Sequence, residues 1–435
     1  MTRDFVSCRQ IAHLKMSEYE LDRRLGAIAE AFDPAWLEGA GHPLQNLWQR
    51  KDGFATNQLC LLGDAIAGLK PIDAPWVKRH VEKIKGRQAN ERRGSMFEML
   101  GTNLFRHAPQ IITPTKRNAA GYDAILTLPD GAKVDLSLKS YGTSTHERLF
   151  RTQAASSEQA FKDLMKARRP QGAVLQVIAN AYPSRSDWQG LRDQLPTLLH
   201  GQATQLGIWA AKIGELPPDF APYSDEHLSH LVFITAPFHV NERKNLSDKF
   251  DEAFANAKKH AASKPDSVRV VLMRVPETIS LLACGQWAKD YLASHHGGPI
   301  DGVYLYQLTV VDQPSGQSMI SHAFSITETP GMMAWRSPAG KSRRTIAMNL
   351  AVGVGTKPTQ RQIIGGPVTL QLDDGYLYQR GDFYTLHKVD LSKPTNVIVR
   401  NPASGVFQHA VLQHPDGHCT LSGHFPPVKE ITLFD

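Results

Sequence analysis

Cysteine is scarce here: Cys8, Cys60, Cys284 and Cys419 are the 4 in 435 residues. They lie far apart and form no CxxC pair, so they read as free thiols of a reducing compartment rather than a disulfide framework. The C-terminal scatter of His409, His414, His418, Cys419 and His424 lacks any standard zinc spacing. No apolar run approaches a membrane span, and Met1-Thr2-Arg3-Asp4 leads into no signal-peptide core. The expected location is the cytoplasm, with no membrane partner. Internal repeats and low-complexity tracts are missing too. Acid is missing locally: Pro330 to Gln371 holds Arg336, Lys341, Arg343, Arg344, Lys357 and Arg361 but no Asp or Glu. Gly340-Lys341-Ser342 has Trp335 where a phosphate-cradling loop needs its first glycine.

What remains is an ordinary globular composition, 41% hydrophobic and 21% charged. At 435 residues the chain exceeds one ordinary core, so two or three domains are expected. The formal charge of +7 is unevenly spread. Lys78 to Arg93 carries seven Lys/Arg against two acids, and Arg148 to Arg169 six against two. Both clusters flank the stretch Glu98 to Lys139, and basic residues beside an acidic site suit a polyanion.

Residues 1–93 read as helical. Ser17-x-x-Glu20 is a capping box before a stripe of Leu21, Leu25, Ile28 and Phe32, and helices follow over 55–69 and 76–87. Ser95 is the expected N-cap of the helix carrying Glu98. Residues 94–296 read as an α/β core: strands near 172–178, 228–236 and 268–275 alternate with helices near 157–166, 246–260 and 279–295. A long helix is expected over 187–213, interrupted at Pro196, and Pro217 to Pro222 is a linker. From 297 to 435 short strand-like runs are parted by turns, which predicts a C-terminal all-β module. Gly353-Val354-Gly355 reads as loop.

Within the core, Gly121-Tyr122-Asp123-Ala124-Ile125-Leu126-Thr127-Leu128 alternates polar and apolar, Pro129-Asp130-Gly131 turns, and Ala132 to Lys139 alternates again. That is a β-hairpin. A three-residue loop pairs Leu128 with Ala132 and sets Asp123 opposite Ser137. Asp123, Asp135, Ser137 and Lys139 then share one face, and Leu126, Val134, Leu136 and Leu138 the other.

An acidic helix residue (Glu98), an Asp opening a strand (Asp123), a turn, and a second strand ending in the x-Lys of an acid-x-Lys pair (Lys139) together resemble the PD-(D/E)XK nuclease superfamily. This chain has Ser137 where that pattern carries its second acid, and Asp135, on the same face, is the candidate stand-in. The resemblance implies a restriction-endonuclease-like mixed sheet and metal-dependent hydrolysis of DNA, as in restriction or anti-phage enzymes. It implies Mg²⁺ or Mn²⁺ held by Asp123 and Glu98, with Lys139 stabilising the charged phosphate and Ser137 offering a neutral oxygen. DNA is the expected partner, RNA stays open, and a homodimer would supply two sites. Arg92, Arg93, Lys116, Arg117, Arg148, Arg151, Arg168 and Arg169 are the candidate backbone contacts. Two other readings stand beside it: a DNA-binding protein with a degenerate nuclease fold, and a scaffold without a nucleic-acid role.

Overall fold

The structure, a computed structural model, describes residues 16–51, 53–115, 121–168, 173–214, 230–259, 266–276, 279–312, 318–340 and 342–350. It also describes 353–354, 362–363, 370–371, 375–379, 384–387, 408–414, 417–423 and 432–434. The helices α1 (Glu18–Phe32), α2 (Pro34–Leu37), α3 (Pro43–Gln49), α4 (Gly53–Leu69), α5 (Ala74–Lys85) and α6 (Ala89–Leu104) come first. Ser17 caps α1, its Oγ accepting from Glu20 N at 3.2 Å, and the stripe of Leu21, Leu25, Ile28 and Phe32 is buried. Ser95 does not cap α6: the helix starts six residues earlier and Ser95 is buried inside it. An interior Gly94 costs about 1 kcal/mol, which burial of Met96, Phe97, Met99 and Leu100 outweighs.

Next come β1 (Ile111–Pro114), β2 (Ala124–Thr127), β3 (Lys133–Ser140), α7 (Thr145–Arg168), β4 (Ala173–Ala179), α8 (Arg185–Gln194), β5 (Ala203–Leu206), β6 (Trp209–Gly214), β7 (His230–Pro237) and α9 (Asn241–Lys259). They are followed by β8 (Ser267–Arg274), α10 (Leu281–Ser294), β9 (Gly302–Asp312), β10 (Ser318–Glu328), α11 (Pro330–Arg336) and β11 (Gly353–Val354). The long helix expected over 187–213 is instead α8 followed by the β5–β6 hairpin. Trp209, Ala211 and Ile213 alternate inward from β6, a period of two that a helical reading hides. Gly353 and Val354, read as loop, pair with β10.

Two mixed sheets organise the chain. Seven strands run in the order β1-β2-β3-β8-β9-β10-β11, antiparallel from β1 to β3 and parallel from β3 through β8 to β9. Five run β14-β7-β4-β6-β5, where β14 is Gly375–Gln379. The strands β9 and β10 were expected to open a separate C-terminal module; they lie inside the seven-stranded sheet. The N-terminal helices likewise share their hydrophobic core with that sheet, since Leu25, Leu59 and Phe97 belong to one cluster with Leu136, Leu138 and Leu272. On the opposite face, Val271, Met273, Val303 and Leu305 pack with residues of α9 and α10. Residues Gly101 of α6, Leu138 and Leu272 meet closely: a Cβ on Gly101 would stand 3.2 Å from Leu272 Cδ2 and 3.3 Å from Leu138 Cδ2. Beyond these sheets, β12 (Gln362–Ile363) pairs with β13 (Leu370–Gln371). Strands β15 (Tyr384–His387), β17 (Gly417–Gly423) and β16 (Gln408–His414) form a three-stranded sheet. Among the described residues no helix is long and apolar enough to cross a membrane.

Candidate active site

The hairpin has the register its sequence predicts. Ala124 pairs with Leu136 and Ile125 with Asp135, and Leu128 N donates to Ala132 O at 2.8 Å. One step beyond Ala124, Asp123 comes level with Ser137, and there the side chain takes over from the ladder. Leu138 N donates to Asp123 Oδ2 at 2.6 Å, while Asp123 N donates to Leu136 O at 2.9 Å and Thr115 N to Asp123 O at 3.0 Å. Asp123 is thereby fixed from two neighbouring segments. Burial raises its pKa above the ordinary 3.8; the Leu138 N–H and Lys139 oppose that, Glu98 adds to it and His80 lowers it. Glu98 from α6 and Lys139 from β3 thus both act on the Asp123 carboxyl at the start of β2.

His80 is the member that sequence reasoning missed. Its Nε2 lies 2.7 Å from Glu98 Oε2, its Nδ1 lies 2.9 Å from Trp76 O, and its ring stacks on Trp76 with centroids 3.8 Å apart. Both ring nitrogens face acceptors, so both contacts are hydrogen bonds only when both carry a proton. The signal was present: Trp76, Val77, His80, Val81 and Ile84 form the buried stripe of α5, and a histidine on such a stripe needs a polar partner.

Both faces of β3 are covered. The face bearing Asp135 and Ser137 is not solvated; these residues are 2% and 8% exposed and run beside Arg269 and Val271 of β8. Ser137 Oγ is buried with no hydrogen-bond partner among the described residues. Lys139 is half-buried and makes no ion pair among them. Also among them, no group of three or more His, Cys, Asp and Glu side chains could hold a metal ion. Glu98, Asp123 and the orphaned Ser137 hydroxyl are what the corner offers a cation.

The basic candidates divide. Arg148 is exposed, and its guanidinium donates to Thr145 Oγ1 at 3.2 Å and makes no ion pair among the described residues. Arg93 Nε donates to Phe434 O at 2.7 Å. Arg151 pairs with Glu147 at 3.0 Å, and Arg168 donates to the carbonyls of Pro196 and Leu198. The last two are engaged in holding α7 rather than free for phosphate. Arg92 adjoins His42, whose pKa burial lowers, with Arg92 lowering it further. Lys116, Arg117 and Arg169 lie outside the described residues, as do the side chains of the C-terminal histidines.

A cleft of about 590 Å³ opens beside this corner, walled by Gly94 and Arg93 of α6, the segment from Ser140 to Thr145, Arg148, and the first turns of α9. Glu98, Asp123 and Lys139 do not line it; Ser140 follows Lys139 directly, and Gly94 precedes Glu98 by one helical turn. Compared with known proteins, the chain matches no family model, no curated protein and no solved structure.

Proposed function

We propose that this protein hydrolyses phosphodiester bonds of nucleic acid, DNA in the first instance, at a divalent cation held between Asp123 and Glu98. The observation that carries the reading is the convergence of Glu98, Asp123 and Lys139 from three elements, with both Glu98 and Lys139 acting on the Asp123 carboxyl. Mg²⁺ takes oxygen ligands and keeps several waters, so two carboxylates with a neutral hydroxyl at hand suit it, and Mn²⁺ equally. When bound, such an ion neutralises phosphoryl charge and acidifies a water.

The chain's own groups do the remainder. Asp123 keeps Oδ1 unbonded among the described residues while Leu138 N holds Oδ2 in place. His80 fixes the rotamer of Glu98. Lys139 supplies a cation for the pentavalent phosphate. Asp135 lies one pair further along the strand, level with Ile125 and sealed from solvent, so Glu98 rather than Asp135 is the second acid. A homodimer belongs to this reading, because cutting both strands takes two sites.

The test is incubation with plasmid and linear DNA plus Mg²⁺ or Mn²⁺, with EDTA as control. Cleavage is expected, and Asp123→Asn should lower it by about 10³-fold, roughly 4 kcal/mol of transition-state stabilisation. The Asn amide oxygen still accepts from Leu138 N, so the fold stays. His80→Gln should cost about tenfold, since Glu98 remains but loses its orientation. No cleavage with either metal, or undiminished cleavage by Asp123→Asn, refutes the proposal. A second reading, a nucleic-acid-binding protein without catalysis, draws on one observation: each acid already spends an oxygen, Asp123 on Leu138 N and Glu98 on His80. It expects salt-dependent DNA binding with no metal-dependent cutting.

A further inference from the structure

The cleft at the carboxyl end of β3 carries an unusual mixture. At 590 Å³ it falls within the roughly 300–1,000 Å³ of small-molecule sites. On one side stand Arg148, which has no carboxylate partner among the described residues, and the first turn of the 24-residue α7, the positive end of its dipole. On the other side stand Asp248 and Glu252, one turn apart on α9 and therefore on one face, with Lys249 between them in the same wall. Among the described residues each is paired only with an exposed lysine of its own helix, Asp248 with Lys244 at 2.9 Å and Glu252 with Lys249 at 2.7 Å. Such pairs are weak and open readily.

A groove for bare phosphate gains nothing from two carboxyl groups, which repel the anion. A nucleotide needs both walls: its phosphate is an anion, and the edge of an amino-bearing base presents N–H donors to a carboxylate. The cleft also begins where the candidate site ends, one residue past Lys139 and one helical turn, about 5.4 Å, before Glu98. We infer that it binds a single nucleotide of the strand being cut, with the phosphate at Arg148 and the first turn of α7 and an amino-bearing base against Asp248 and Glu252. The place of that nucleotide next to the scissile bond rests on the function proposed above; the binding itself does not.

Gly94 gives a clean way to close the cleft. It lines the wall, sits in mid-helix, and a Cβ there would meet nothing within 4 Å. Gly94→Leu should therefore fill the cleft while leaving the melting temperature unchanged or higher. The full chain is titrated calorimetrically, in EDTA, with the common deoxynucleoside 5′-monophosphates and with inorganic phosphate. The deoxycytidine, deoxyadenosine and deoxyguanosine monophosphates should bind at least about tenfold tighter than thymidine monophosphate or phosphate. Gly94→Leu should abolish binding, Arg148→Ala should weaken every nucleotide about tenfold, and Asp248→Asn with Glu252→Gln should erase the preference over thymidine. No nucleotide binding, phosphate binding as tightly as nucleotides, or binding untouched by Gly94→Leu overturns the inference. Nucleotide binding without cleavage of DNA leaves it standing and defeats the proposed activity; cleavage without nucleotide binding does the reverse.

Discussion

Two carboxyl groups lie beside the end of β3 and are held in opposite ways. Glu242, at the start of α9 and 1% exposed, accepts from Tyr141 Oη at 2.7 Å, from Ser144 Oγ at 2.8 Å and from Tyr376 Oη. Its donors come from the residue after β3, the residue before α7, and β14 of the other sheet. Both phenols are pushed far above the ordinary tyrosine range, by burial first and by Glu242 besides, and so remain donors. Asp123 accepts one backbone bond and keeps an oxygen unbonded among the described residues. Saturation makes Glu242 a joint between the two sheets; spare capacity beside Lys139 makes Asp123 the candidate for chemistry.

The sharpest way to break that contrast is Glu242→Leu. It removes the acceptor of three buried hydroxyls, of which Ser144 Oγ keeps only the bond it accepts from Glu147 N, and should cost about 3–5 kcal/mol in urea unfolding. A loss below about 1 kcal/mol would show that the joint is ornamental. His322 sharpens the contrast from another side. It is 1% exposed, with Nδ1 3.0 Å from Tyr306 Oη and Nε2 buried without a partner among the described residues. Spare polar capacity sealed in a core should appear as pH-dependent stability and nothing else. Burial lowers the pKa of His322 from 6.5 to about 4, so its contribution is whole above pH 6.5 and is lost as pH falls toward 4. That amounts to about 3 kcal/mol, read as the difference between the wild type and His322→Gln in urea midpoints across that range. A flat difference would mean the ring is protonated inside the fold. The smallest effect belongs to Asp123. Its folded pKa is raised, so its favourable contribution is present below 3.8 and is lost as pH rises through the folded value. Asp123→Asn should therefore gain on the wild type between pH 4 and 7 in the same assay. A variant that instead loses ground would make Asp123 a structural clamp like Glu242.

How much of this was legible depended on distance along the chain. The hairpin register followed from a turn and two alternating runs, so Asp123 beside Ser137 was readable locally. The partner of His80 is 18 residues away and those of Glu242 are 98, 101 and 134 away, and no periodicity encodes such meetings. The strands at 302–328 were recognisable as strands, but not as members of the central sheet, because parallel pairing of β9 with β8 spans a helix. Ser95 misled for a physical reason: a serine caps a helix only where the preceding backbone is extended, and here α6 already runs through it.

The missing side chain of Gly101 has one more consequence. Glu98 sits on α6 three residues before the point where that helix presses on Leu138 and Leu272, and the gap there admits a hydrogen but barely a methyl. The spacing between an acid on a helix and an acid at a strand edge is therefore set by a mechanical stop. Any bulk added at 101 would act as a shim, lifting Glu98 away from Asp123 by a few tenths of an ångström without touching either acid.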